Sequence, residues 1–335
     1  MAVAAVAAAA CIRDFDSLVA SDATDAGHAG EAGIADAGCD APRPTQLPPS
    51  RYAQEVLTDN PYAYYRLDDR GDKMVNLTSG GLVGERHDGV AWTPFGALYG
   101  ENNGAATFPY GNWGYIDFGP NFGFLGDNGA FTIEFWMRAD HHGAGDRDRY
   151  IFSKETDTDP QARRGLALVL KYNSGPARDT LSFHRFGIDA GATIEYTFPS
   201  LQDDYRHIAI TNDGSTTKMY VDGALKTVGS LGPPIIPPQL FSLGGSPDNP
   251  EAAAFYGALD EFAIYQSALG ADRIAAHFAA GASGPCDAGR VCFGASTMGT
   301  CQGDAGYTYL GTCQGQYCVA ATDGSVSCVE APTCH

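Results

Sequence analysis

Basic residues are scarce in this chain: 21 Lys and Arg stand against 40 Asp and Glu, a formal net charge of −19 over 335 residues. The few cations are scattered, gathering only into pairs and near-pairs such as Arg163-Arg164 or Arg147 and Arg149. A surface that neutralises phosphates needs clustered Lys and Arg, so the composition argues against nucleic acid and against anionic lipid headgroups. Divalent cations and neutral ligands stay compatible with it. Cysteine is absent from Asp40 to Pro285, which leaves that stretch to fold without bridges. No Cys-x-x-Cys occurs anywhere and His335 is the one histidine near the C-terminal cysteines, which argues against a zinc module. No Gly-x-Ser-x-Gly elbow is present either, so a nucleophilic serine of that kind has no support.

What is present is glycine, 42 residues, with 19 prolines, and a composition that is 44% hydrophobic and 11% aromatic. That suits many short strands joined by tight turns. It is enough for a core of roughly 200 residues, hiding about 70% of the unfolded surface. The nine cysteines sit at the two ends: Cys11 and Cys39, then Cys286, Cys292, Cys301, Cys313, Cys318, Cys328 and Cys334. So dense a tail reads as a disulfide framework formed in an oxidising compartment.

Four segments follow. Residues 1–11, MAVAAVAAAAC, form a short apolar run of small residues ending in cysteine. The run fits two readings, a bacterial lipoprotein signal with Cys11 as the acylated residue, or an ordinary export signal. It lacks a basic leader, and Ala8 stands where a lipobox usually has leucine. If Cys11 carries lipid, eight cysteines remain for four bridges, one of which must join Cys39 to the tail. Residues 12–50 are rich in Ala, Asp, Gly and Pro, with Asp-Ala-Gly triplets at Asp25 and Asp36, and show no apolar periodicity. They are expected to be a disordered linker, since nothing in them offsets the entropy of ordering.

Residues 52–281 alternate in strand fashion. In FTIEFWMRA, Phe131, Ile133, Phe135 and Met137 share one face, with Thr132, Glu134 and Arg138 on the other. GLALVLKY (165–172) is apolar enough for a strand buried on both sides. Asp222-Gly223 between two extended runs predicts a hairpin. Only Gly270–Ala280 reads as a helix, with Ile274, Ala275 and Phe278 on one stripe. A dozen short strands at this spacing predict an all-β, antiparallel two-sheet sandwich of jelly-roll type. Residues 285–335 form the small cysteine-rich tail.

In order, DNPYAYYRLDD (59–69), NLTSGG (76–81), FTIEFWMRA, YRHIAITND, MYVDG and FYGALDEFAIYQSAL before a short helix resemble the laminin-G-like jelly-roll domains of secreted bacterial proteins. These belong to the concanavalin A-like lectin/glucanase superfamily. Tyr205 replaces the usual Trp of the Trp-x-His strand, Asn76 the usual Asp, and Asp69 the usual Glu. The resemblance implies a structural Ca²⁺ held by Asn76 and Asp260, with Asp69 and Glu261 as helpers. Asn76 brings no charge to such a site, which lowers the expected affinity. It also implies lectins, adhesion modules, hydrolases and spacers as the range of functions.

For glycan binding, Tyr110, Asn112, Trp113 and Tyr115 in YGNWGYIDF are the candidates, with Trp92 nearby in sequence and His184-Arg185 as a weaker second choice. An aromatic ring stacks on a sugar face, and the glycines around Trp113 suggest a loop tip. The alternative is that Trp113 folds inward over the sandwich edge. Hydrolysis needs two carboxylates about 5–10 Å apart. The nearest motif is Glu155-Thr156-Asp157-Thr158-Asp159, which Pro160 places in a loop; Glu134 and Glu195 stand alone on strands. His207, inside a strand, reads as a structural histidine. The expectation is therefore a non-catalytic, exported protein, an outer-membrane or cell-surface lipoprotein or a secreted one, that binds glycan or a surface protein. It would meet a membrane only through its lipid. A spacer without ligand and a glycoside hydrolase are the alternatives.

Overall fold

The computed structural model describes residues 50–282 apart from 88, 94–95, 99–103, 127–128, 141–147, 157–163, 174–177, 187–191, 199–204, 233–239 and 247–253. Beyond residue 282 it describes only the backbone of five strands between 289 and 329. Cys11 and Cys39, like the leader and linker that carry them, lie outside the described residues, as do Cys286, Cys313 and Cys334.

The chain enters through a helix that the sequence reading lacked, α1 (Arg51–Thr58), whose first turn is capped by Ser50 Oγ accepting from Ala53 N at 2.8 Å. Short strands follow: β1 (Ala63–Tyr65), β2 (Lys73–Met74), β3 (Gly84–Arg86) and β4 (Ala91–Thr93). Next come β5 (Ala105–Phe108) and β6 (Ile116–Asp117). The long strands are β7 (Phe131–Ala139), β8 (Asp148–Thr156), β9 (Arg164–Asn173) and β10 (Arg178–Phe186). After them lie β11 (Ala192–Phe198), β12 (Arg206–Asn212), β13 (Thr217–Val221) and β14 (Ala224–Gly229). The series closes with β15 (Ser242–Leu243), β16 (Gly257–Tyr265) and a second helix, α2 (Ala271–Ala282).

Two antiparallel sheets of eight strands each face one another. The first runs β14-β13-β12-β7-β16-β5-β4 with β1 paired to β16, and the second runs β11-β10-β9-β8-β15-β6-β3-β2. The alternation predicted for β7 holds, since Phe131, Ile133, Phe135 and Met137 all enter the inter-sheet core beside Leu166, Leu168, Leu170, Leu181 and Phe183. Asp222 (φ 52°) and Gly223 (φ 71°) make the hairpin between β13 and β14 with both turn residues left-handed, the geometry that matches strand twist.

Both helices lie on the outer face of the first sheet. Tyr52, Ala53 and Val56 of α1 pack on Tyr64, Trp136, Ala263 and Tyr265, and Phe278 of α2 stacks on Trp136 at 5.8 Å. No helix among the described residues is long and apolar enough to cross a membrane. In the tail, β17 (Gly289–Phe293), β18 (Thr297–Cys301) and β19 (Tyr307–Thr312) form one small sheet. A second pairs β20 (Tyr317–Ala320) with β21 (Val326–Val329) and sets Cys318 opposite Cys328 in register.

Candidate ligand-binding site

The four aromatic-loop residues lie on one crossing between the sheets. Strand β5 ends with Phe108 in the core and β6 begins with Ile116 in the core, so the seven residues between them must bridge the layers at the rim. Pro109 to Asn112 closes as a tight turn, Asn112 N donating to Pro109 O at 3.2 Å. Gly111 stands at the third position with φ 82°, the left-handed geometry a type II turn demands. The turn thrusts side chains outward: Tyr110 is 55% exposed and Trp113 47%, and Asn112 is exposed between them. Trp113 therefore points to solvent instead of folding over the sandwich edge, the other placement that its sequence allows.

Beneath this tip the rings are braced. Tyr110 meets Tyr256 edge-on at 5.0 Å, and the Arg149 guanidinium lies over the Tyr256 ring at 4.3 Å while Nη1 donates to Ala254 O at 3.3 Å. On the other side His87 lies flat on Tyr115 (4.6 Å, 13°), its backbone N donating to Tyr115 O at 2.8 Å. His87 Nε2 stands 3.7 Å from Asp117 Oδ2. Tyr256, Arg149 and His87 had no motif to mark them. The structure brings them to the loop through β16, β8 and β3. Trp92 is elsewhere, on β4 under the Arg70 guanidinium at 4.3 Å.

His184-Arg185 does not make a second surface site. Arg185 is buried between the sheets, Nη1 donating to Asn212 Oδ1 at 3.1 Å and to Leu231 O at 3.3 Å, and burial pushes its guanidinium down to about 10. On β10 the alternation that points Leu181 and Phe183 inward points Arg185 inward as well.

The four residues implied for calcium are each engaged by protein donors. Asn76 Oδ1 accepts from Tyr64 N, Thr78 N and Thr78 Oγ1, all at 3.0 Å, and Asp69 Oδ2 accepts from Val75 N at 3.0 Å. Asp260 Oδ2 accepts from Ala97 N at 2.6 Å, and Glu261 takes Tyr64 Oη and Arg66 Nε. Burial, then the neighbouring Glu261, pushes the Asp260 carboxyl well above the usual range, which favours its neutral form. Among the described residues no three His, Cys, Asp or Glu side chains are grouped to hold a metal ion.

Glu134 is the largest departure from the reading of its strand. It faces away from the inter-sheet core, yet it is fully buried, because α1 and α2 cover that face. His277 Nδ1 donates to its two oxygens at 2.9 and 3.0 Å, Tyr265 Oη donates to Oε1, and His207 Nε2 stands 3.3 Å from Oε2. The other nitrogen of His277 lies 2.9 Å from Asp59 Oδ2. Burial alone would raise the Glu134 carboxyl, but the His277 charge and the bonds from both histidines outweigh it and hold it well below the carboxylate range. Burial would likewise lower His277; the two carboxylates reverse that and raise it. Arg273 Nη2 and Nε reach Glu55 and Asp59, each at 2.8 Å, joining α2 to α1. His207 is thus part of a structural cluster.

Glu155 is also re-placed. It and Thr156 end strand β8 instead of starting a loop, and Glu155 is buried. Asp157 and Asp159 lie outside the described residues. Glu195 is exposed, accepting from Lys171 Nζ and Ser182 Oγ at 2.8 Å each.

Residues 110–275 match the laminin-G family model described as the concanavalin A-like lectin/glucanases superfamily. Its fold class contains both binding modules and glycoside hydrolases. No curated protein matches the chain in sequence. Among solved structures, the chain is similar to domain 4 of AbnA, a GH43 extracellular arabinanase from Geobacillus stearothermophilus solved with arabinotriose. That match has 17% identity and a TM-score of 0.44, over 64% of this chain and 96% of that one. It is also similar to the binding domain of botulinum neurotoxin serotype D/C, with 13% identity, a TM-score of 0.49, and 72% and 56% coverage. A third is the binding domain of Paraclostridial Mosquitocidal Protein 1, with 18% identity, a TM-score of 0.48, and 64% and 51% coverage. The chain thus spans nearly the whole arabinanase domain and about half of each toxin domain.

Proposed function

We propose that the sandwich is a carbohydrate-binding module of an exported protein, taking a sugar ring on the shelf of Tyr110 and Trp113. The observation that carries the reading is the pair of large aromatics, Tyr110 and Trp113, standing about half exposed at one rim crossing of the sandwich. A ring exposed on a braced support binds with little loss of side-chain freedom, because Tyr256 already fixes the seat of Tyr110. Asn112 supplies a donor and acceptor for hydroxyls between the two rings.

Binding without catalysis is favoured over hydrolysis by how the described glutamates are used. Glu134 is sealed under two helices by His277, and Glu195 is engaged by Lys171 and Ser182. Export, with lipidation at Cys11 as one route to it, remains part of the proposal and rests on the cysteine-rich tail and the apolar leader.

A glycan array probed with the wild type and with Trp113→Ala and Tyr110→Ala tests it. Truncating an aromatic hot spot costs about 2 kcal/mol or more, so each variant should bind roughly 30-fold more weakly than the wild type. Retention of wild-type binding by both would overturn the assignment of the shelf.

A further inference from the structure

We infer that Arg149 makes this shelf selective for saccharides that carry a carboxylate, such as uronates, an inference that rests on the carbohydrate reading above. The chain has few cations to spend, 21 against 40 acidic residues, and one of them is laid into the aromatic patch. Arg149 is partly exposed and makes no ion pair with a carboxylate among the described residues. Its guanidinium plane is fixed against the face of Tyr256 and by the bond from Nη1 to Ala254 O. A guanidinium held this way keeps N–H donors along its edge, in the fork that matches two carboxylate oxygens.

The fork is also in the right place. Arg149 is one aromatic ring from Tyr110, with Tyr256 touching both, so a sugar seated on Tyr110 extends its substituents toward it. The opposite flank carries Asp117 beside His87, which repels an anion and leaves the Arg149 side as the end that accepts one. Arg149 would then set charge preference, while Tyr110 and Trp113 supply stacking common to neutral and acidic sugars.

The test uses the full chain on an array that prints carboxylated glycans beside their carboxyl-reduced counterparts and beside sulfated ones, with Arg149→Gln and Arg149→Lys as variants. The wild type should prefer carboxylated members over their reduced forms by roughly tenfold. Arg149→Gln should abolish that preference yet keep binding to the neutral forms, which shows the shelf itself intact. Arg149→Lys should recover only part of it, because a point charge lacks the fork. Equal capture of carboxylated and reduced members by the wild type, or a preference unchanged in Arg149→Gln, overturns the inference and leaves the shelf standing. A stronger preference for sulfated than for carboxylated glycans overturns the assignment to carboxylates. Capture of nothing by the wild type sinks the carbohydrate reading and this inference with it.

Discussion

Replacing His277 with glutamine tests the claim that α1 and α2 are fastened to the sheet by charge. In the native protein both imidazole nitrogens face carboxylates, Nδ1 toward Glu134 at 2.9 and 3.0 Å and Nε2 toward Asp59 at 2.9 Å. A neutral ring would turn a lone pair toward one of those anions, so the imidazolium alone suits both. Glutamine keeps one donor but takes away the cation facing Glu134, leaving it buried with only the bonds from Tyr265 and His207, and losing one member of a buried ion pair costs about 3–5 kcal/mol. For a domain of this size that corresponds to a fall of roughly 10 °C in Tm. His277→Gln combined with Glu134→Gln removes the stranded charge and should recover most of the loss, giving a large coupling energy in the cycle.

The pH dependence has a definite sign. His277 is raised above its unfolded value of about 6.5, so its contribution is complete below that pH and disappears as pH climbs through the folded value. Glu134 is depressed, so its contribution is present above about 4.3 and is lost only in strong acid. Guanidinium denaturation from pH 5 to pH 9, followed by near-UV circular dichroism, should show wild-type stability falling on the alkaline side and His277→Gln staying flat there. Parallel curves, or a Tm change of a degree or less in the variant, would refute the charged fastening.

Three further outcomes are expected. Ser50→Ala removes the acceptor for Ala53 N and should cost about 1 kcal/mol in thermal melts. Gly111→Ala forces a Cβ into a left-handed turn and should cost about 1–2 kcal/mol. It should weaken glycan capture on the array as well, since the turn aims both Tyr110 and Trp113. Chelation by EDTA in calcium-depleted buffer should leave Tm unchanged, because Asn76, Asp69, Asp260 and Glu261 already serve protein donors.

Strand periodicity made most of the sandwich legible, since a period of two assigns faces directly, and the Asp222-Gly223 turn followed from its residue types. Helix α1 was harder: it has only eight residues, and three buried ones make a short stripe that two prolines just upstream disguise as loop. Glu134 shows a deeper limit. Alternation tells which face of a sheet a residue takes, but not what later elements will cover, and here those elements lie 76 or more residues before and over 130 after it in the chain's path from Tyr52 to His277. Arg185 shows the reverse case, where period two points inward and residue type points outward, and the pattern prevailed. In the candidate site the exposed loop was readable from its glycines, whereas Tyr256 and Arg149 reach it only through pairing across distant strands.

The adjacency of α1 and α2 has a mechanical meaning. The chain enters the sandwich through one helix and leaves through the other, and Arg273 bonds the two together through Glu55 and Asp59. A pull applied between whatever precedes residue 50 and whatever follows residue 282 therefore loads this helical clasp first. Tension on either flank therefore meets the two helices and their Arg273 link before it meets the long ladders of β7, β12 and β16.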